Sequence, residues 1–228
     1  KIDTSIFFFD QDGNKVLFEE LFVDDLPVVL SPVYFSCPRV CTFTTDGVLE
    51  TLNGLESLSL GKDFKLVSFS FNPEDKPELA KEKAEKYEKS LIENHVPNKN
   101  WYFLTGDSTN INKLTDEIGF NLKKDWKEYA HPTALIVLTP DAEISRYLYG
   151  IEHNPRDLKL ALLEASDGNI GNSKLLNKVL LFCYQFDPDG KKYALQALNV
   201  VKAGGVLTLL SLCGILAYFW IREKKGSQ

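Results

Sequence analysis

The sequence predicts an α/β domain, a central mixed sheet flanked by helices, followed by a C-terminal transmembrane helix. Three observations carry that expectation. Apolar runs such as Pro27 to Val33, Phe64 to Phe71 and Thr133 to Thr139 have the length and the β-branched or aromatic content of strands buried on both faces. Segments of helical period separate them, which is the order of a layered α/β domain. Ala203 to Ile221 reads AGGVLTLLSLCGILAYFWI, nineteen positions without a charge, close to the roughly 20 apolar residues needed to cross a hydrocarbon core.

Taken in order, Ile6 to Leu17 reads as a strand, an Asp-Gly turn at Asp12-Gly13 and a second strand. Pro27 to Val33 is the first buried strand. From Pro38 to about Leu58 a helical period takes over, with Val48, Leu52 and Leu55 on one face, and Phe64 to Phe71 returns to a strand. Glu78 to Ile92 is a charged amphipathic helix opening at Pro77, which suits the first helical position. Trp101 to Leu104 is a short strand, Asn110 to Ile118 a short helix, and Thr133 to Thr139 a strand that turns at Pro140-Asp141 into another, Glu143 to Tyr149. Asn154 to Glu164 forms a helix with Leu158 and Leu162 in its stripe. This order fits a thioredoxin-like sheet. The Gly168 to Asn172 stretch then breaks the periodicity, Lys174 to Phe186 resumes as an apolar helix-like run, Phe186 to Lys192 turns, and Tyr193 to Val201 leads into the span. The expected division is 1–167 for the domain, 168–202 for a tether, 203–221 for the membrane helix and 222–228 for a cytoplasmic tail.

A chain of 228 residues with 44 % hydrophobic and 25 % charged residues has globular composition. Its net charge of −6 argues against a nucleic-acid partner, which would draw on clustered Lys and Arg. Tyr218 and Trp220 suit an interfacial aromatic belt, and Arg222, Lys224 and Lys225 put the short tail on the cytoplasmic side. Everything before Lys202 is then expected on the other side, in the periplasm of a bacterium or an equivalent compartment, and the expected location is the inner (cytoplasmic) membrane, single-pass, with lipid as a partner. The chain contains no methionine, even at position 1, and a cleaved secretory signal is the expectation drawn from that.

The most informative residues are Cys37 and Cys41 in Cys37-Pro38-Arg39-Val40-Cys41, directly after the first buried strand. Pro38 suits the first position of a helix, so Cys37 falls near its cap and Cys41 one turn on, along the same face. The positive end of the helix macrodipole favours thiolate, the form that ligates metals and attacks disulfides. A three-residue spacer sets the sulfurs one helical turn apart, a bite suited to one soft ion, and Cu(I) is the natural candidate. Buried structural cysteines and a short disulfide are the competing readings.

The Cys37 to Cys41 pair after an apolar strand, the Trp101 to Gly106 strand and turn, and His131 before the strand TALIVLT together resemble the SCO/SenC family. The resemblance covers about residues 5 to 165, with Tyr149-Gly150, Asn154-Pro155 and Leu160 to Ala165 resembling the end of the domain in bacterial members. It implies a thioredoxin fold, a copper ion held by Cys37, Cys41 and His131, and a role in cytochrome c oxidase assembly. Two thiolates and an imidazole form a soft set that suits Cu(I) and also accepts Cu(II). Thr42 stands where many relatives carry proline, and the span follows the domain where better-known members are anchored before it. His95 and His153 are expected to be solvated loop residues outside the site. Cys183 is expected to be a small buried hydrophobe or an extra thiol, and Cys213 inert packing in the span.

The resemblance implies a metallochaperone that delivers copper to the binuclear copper A centre of cytochrome c oxidase subunit II, after loading by an upstream copper donor. Two rivals stay open. Cys37 and Cys41 could instead be catalytic in a thiol-disulfide oxidoreductase that reduces the copper A cysteines, with Cys37 attacking and Cys41 resolving. A stable accessory subunit of a respiratory complex is the other, motivated by the long aromatic-containing tail. Peroxide reduction is a weaker idea, because fold does not fix function.

Overall fold

The computed structural model describes residues 1–37, 40–92, 100–125, 128–130, 132–171, 173–187 and 190–226, with side chains throughout these except at 40–42, 123–125, 128–130, 221 and 223–226. The elements are β1 (Phe7–Phe9), β2 (Lys15–Leu17), a 3-10 turn (Phe18–Phe22), β3 (Val28–Val33), α1 (Val40–Asn53), β4 (Lys65–Ser70), α2 (Pro77–Glu88), β5 (Trp101–Leu104) and α3 (Ser108–Glu117). They continue as β6 (Lys123–Asp125), β7 (Glu128–Ala130), β8 (Ala134–Leu138), β9 (Ile144–Tyr149), α4 (Pro155–Ala165), α5 (Lys174–Cys183), β10 (Tyr184–Asp187), β11 (Lys192–Leu195) and α6 (Ala197–Gly226).

The central sheet has the order β5-β4-β3-β8-β9. β3, β4 and β5 run parallel, and β8 and β9 are antiparallel additions, so the sheet is mixed. Every residue of β3, β4 and β8 is buried, which is why these strands read as continuous apolar runs rather than alternating ones. On one face Trp101 donates through Nε1 to Ser68 at 3.1 Å, and Tyr87 of α2 stacks on Phe103. On the other face Phe69 meets Phe8 of β1, and buried Lys65 reaches the Leu21 carbonyl at 3.0 Å. The sheet is thus covered on both sides, as the sequence predicts.

Local signals set the helix starts. Pro77 and Pro155 occupy the first helical turn of α2 and α4, and Asn154 caps α4 by accepting from the Arg156 N–H at 2.9 Å. Asp107 caps α3 in the same way, accepting from the Thr109 and Asn110 N–H groups.

The segment after residue 167 is more ordered than a simple tether. The predicted helical run to Phe186 ends at Cys183, and β10 and β11 form an antiparallel hairpin. This hairpin docks on the domain. Arg146 of β9 forms a bidentate pair with Glu164 of α4 through Nε at 2.8 Å and Nη2 at 2.5 Å, and the Tyr193 hydroxyl donates to the same carboxylate at 2.5 Å. Burial and the Glu164 carboxylate raise the Tyr193 phenol far above its ordinary range, so it stays protonated and keeps donating. α6 begins six residues before the predicted span and has a 24-residue stretch, Ala197–Trp220, long and apolar enough to cross a membrane, none of it buried in the protein.

Candidate metal centre

Three positions were singled out by the sequence, and the described residues treat them differently. Cys37 closes a turn after β3, its N–H donating to the Tyr34 carbonyl at 3.2 Å. Its side chain is half-buried and packs against the edge of the core. Cys41 is the second residue of α1, so its backbone lies in the first turn of the described helix, which begins at Val40. The Cys41 side chain and the whole of His131 lie outside the described residues, as do Pro38 and His95. What is described on either side of His131 is informative. β8 pairs antiparallel with β3, Val28 opposite Leu138 and Leu30 opposite Ile136, so the chain enters β8 at the end of the sheet where β3 leaves it. That end carries Cys37. Among the described residues no cluster of three metal-ligating side chains forms.

The loop that presents Cys37 is held by a buried carboxylate that sequence reasoning missed. Asp75 is 5 % exposed. One of its oxygens accepts from the Phe35 N–H at 2.7 Å, the Ser36 N–H at 3.3 Å and the Ser70 hydroxyl at 2.6 Å. The other accepts from Asn72 Nδ2 at 3.1 Å, and the same amide donates to the Ser36 hydroxyl. Removing a charge from water this thoroughly is costly unless hydrogen bonds replace the hydration. Four donors, two of them backbone N–H groups immediately before Cys37, meet that need. The result is a rigid mount for the first thiol.

A narrow cleft with room for about one water, about 10 Å³, opens beside it, lined by Val33, Tyr34, Phe35, Cys37, Thr45, Lys83, Tyr87 and Phe103. The Lys83 ammonium and the start of α1 both contribute positive potential there. Burial, together with the Asp46 carboxylate that accepts a hydrogen bond from its hydroxyl at 2.9 Å, pushes the Tyr87 phenol well above its ordinary range. The Tyr87 side of the wall is therefore aromatic and stays protonated.

The other sulfur and nitrogen candidates separate from this site. Cys183 ends α5 half-buried, its carbonyl accepting from the Gln196 N–H at 2.8 Å, and Cys213 is exposed on α6. His153 is not the solvated loop residue expected. It is largely covered, its Nε2 is buried with no hydrogen-bond partner, and burial lowers its pKa to about 4. It borders a separate cleft of about 280 Å³ with Glu50, Thr51 and Pro155.

A family model described as SCO1/SenC matches residues 3–164. This chain belongs to the SCO1/SenC family. Solved structures agree on the fold. A candidate electron transfer protein from Aquifex aeolicus VF5 is 28 % identical and superposes with a TM-score of 0.63, covering 72 % of this chain and 91 % of that one. BsSco, described as having a disulfide switch and as a member of the Sco family of cytochrome c oxidase assembly proteins, is 25 % identical over 70 % of this chain and 90 % of its own, with a TM-score of 0.56. Arabidopsis thaliana ScoI with copper bound shares the fold at 16 % identity, covering 70 % of this chain and 94 % of its own with a TM-score of 0.53. None of the curated proteins matches the chain. The family match stops at residue 164, so α5, the β10–β11 hairpin and α6 lie beyond it.

Proposed function

We propose that this protein is a membrane-anchored copper metallochaperone acting in cytochrome c oxidase assembly, and that it delivers copper to the copper A site of subunit II. The observation that carries this reading is the mount of Cys37 at the exit of β3, with Cys41 in the first turn of α1, in a chain of the SCO1/SenC family. Cys37, Cys41 and His131 are the proposed ligands. Their soft donor set fits Cu(I) and, through the imidazole, Cu(II). Copper is cargo here. An incoming cysteine of the acceptor can replace an outgoing one of this site, so the ion is handed on without being released. α6 is the proposed anchor, crossing the inner membrane with the domain on the periplasmic side, and anchoring raises the effective concentration of donor and acceptor on one surface. Residues 1–167 form the proposed copper-binding domain.

A thiol-disulfide exchange reading is favoured by one observation, the disulfide switch described for BsSco. Here Cys37 thiolate attacks an acceptor disulfide, Cys41 resolves the mixed disulfide, and the acceptor leaves with two thiols while this chain holds one Cys37–Cys41 bond.

Copper titration of the full chain in detergent, reduced and anaerobic, with X-ray absorption at the copper edge separates the two. The metallochaperone reading expects one tightly held copper with two sulfur ligands and one nitrogen, the nitrogen disappearing in His131→Ala. Absence of tight copper, with a reversible Cys37–Cys41 disulfide and reductase activity that survives His131→Ala, would replace it with the exchange reading.

A further inference from the structure

Helix α5 is built inside out. Its one uncharged amide residue, Asn177, is buried and donates through Nδ2 to the carbonyls of Gly168 at 3.2 Å and Ile170 at 2.6 Å. Leu175, Leu176, Val179 and Phe182 stand outward instead, 78 %, 58 %, 49 % and 50 % exposed. At 3.6 residues per turn these four side chains share one face, opposite Asn177. A surface helix of a soluble domain turns such a stripe toward the core. Here the core side of α5 is already taken by Asn177 with Leu180 and Leu181.

The place of this face in the chain indicates what covers it. The Phe182 carbonyl accepts from Asn199 Nδ2 at 2.8 Å, and the Cys183 carbonyl accepts from the Gln196 N–H, so the end of α5 is fastened to the start of α6. Exposed Leu195, Leu198 and Val201 continue the apolar surface from α5 to the apolar helix. The charge changes as well. Residues 168–202 contain five lysines and two aspartates in a chain whose net charge is −6; Lys178 borders the apolar face of α5 and Lys174 opens the helix. Apolar side chains flanked by lysines, next to a membrane helix, match a helix lying in the headgroup layer, where the stems of the lysines snorkel toward anionic phosphates.

We propose that the outward face of α5 lies in the interfacial layer of the bilayer that α6 crosses, with Leu175, Leu176, Val179 and Phe182 among the acyl-chain ends. This surface rests on the reading of α6 as an anchor and is independent of the copper chemistry.

The test places an environment-sensitive fluorescent amino acid at position 175, 179 or 182 of the full chain, in vesicles of phosphatidylcholine and phosphatidylglycerol carrying bromine on their acyl chains. Position 210 in α6 and exposed position 19 serve as references. Insertion by about 5–10 Å predicts at least about a twofold loss of emission at the three α5 positions. Position 210 should be quenched as well, and position 19 should not change. Quenching at 210 with none at the α5 positions would overturn the proposal, leaving the span intact and assigning the face to a protein partner. Absence of quenching at 210 would remove the anchor reading and the proposal with it.

Discussion

The carboxylate of Asp75 holds the backbone N–H of Phe35 at 2.7 Å, two residues before Cys37. A group in the turn that precedes α2 therefore fixes the loop that begins α1. Because Ser70 and Asn72 bond to the same carboxylate, the mount is tied to the carboxyl end of β4 as well.

Replacing Asp75 by alanine leaves the Phe35 N–H and the Ser70 hydroxyl without their acceptor. The expected loss of stability is about 2–3 kcal/mol, the scale of hydrogen bonds to a buried charged group. Copper affinity should fall by about tenfold, as it does when groups orienting a metal ligand are removed. Urea denaturation and copper competition measure the two effects, and an unchanged copper affinity would show that the clamp serves the fold alone.

Gly47 sits in the middle of α1, where alanine would ordinarily stabilise a helix by about 1 kcal/mol. A Cβ there would lie 2.3 Å from the Ile151 carbonyl oxygen, which is backbone and cannot swing aside. The sign therefore reverses. Gly47→Ala should destabilise by about 1–3 kcal/mol, the cost of overpacking, and thermal unfolding would show it as a lowered midpoint.

His153 makes stability depend on pH. Its pKa is lowered to about 4 by burial, while the unfolded chain takes up the proton near 6.5. Protonation therefore favours unfolding between those values. Stability should be intact above pH 6.5 and decline as pH falls toward 4, by up to about 3 kcal/mol. His153→Phe should flatten that part of the profile, measured by denaturant midpoint against pH, and a variant profile as steep as the parent's would contradict it.

Tyr193→Phe removes the hydroxyl that bonds Glu164 at 2.5 Å and leaves the rest of the ring in place. Amide exchange in β10 and β11 should quicken by about tenfold, corresponding to one charge-assisted bond. Exchange in β3 and β4 should be unaffected, since their protection comes from the central sheet.

The features legible in the sequence are those written in local patterns. Pro27 to Val33 and Thr133 to Thr139 announce buried strands because both of their faces are covered, and Pro77 and Pro155 announce helix starts because their fixed backbone angle and missing N–H suit the first helical turn. The strand before Cys37 and the helix that carries Cys41 were legible for the same reason, as an apolar run followed by a helical period. Asp75 was not. In Pro73-Glu74-Asp75-Lys76 nothing local distinguishes it from Glu74, and its burial arises only when the β3–α1 loop closes over it. The β10–β11 hairpin escaped likewise: its Asp-Pro-Asp-Gly turn is plain in the sequence, but the flanking strands are four residues each, and Tyr193 finds Glu164 only through tertiary packing. His153 was misjudged because its polar neighbours, Glu152 and Asn154, gave no sign that α1 would press against the loop.

The Arg146–Glu164–Tyr193 cluster and the bonds from Asn199 and Gln196 into the end of α5 splint the domain to α6 at several points. A floppy leash would let Cys37 wander through a hemisphere above its attachment. A splinted stem instead holds it at one bearing, so under the proposed function an encounter with an acceptor would be governed by aim more than by reach.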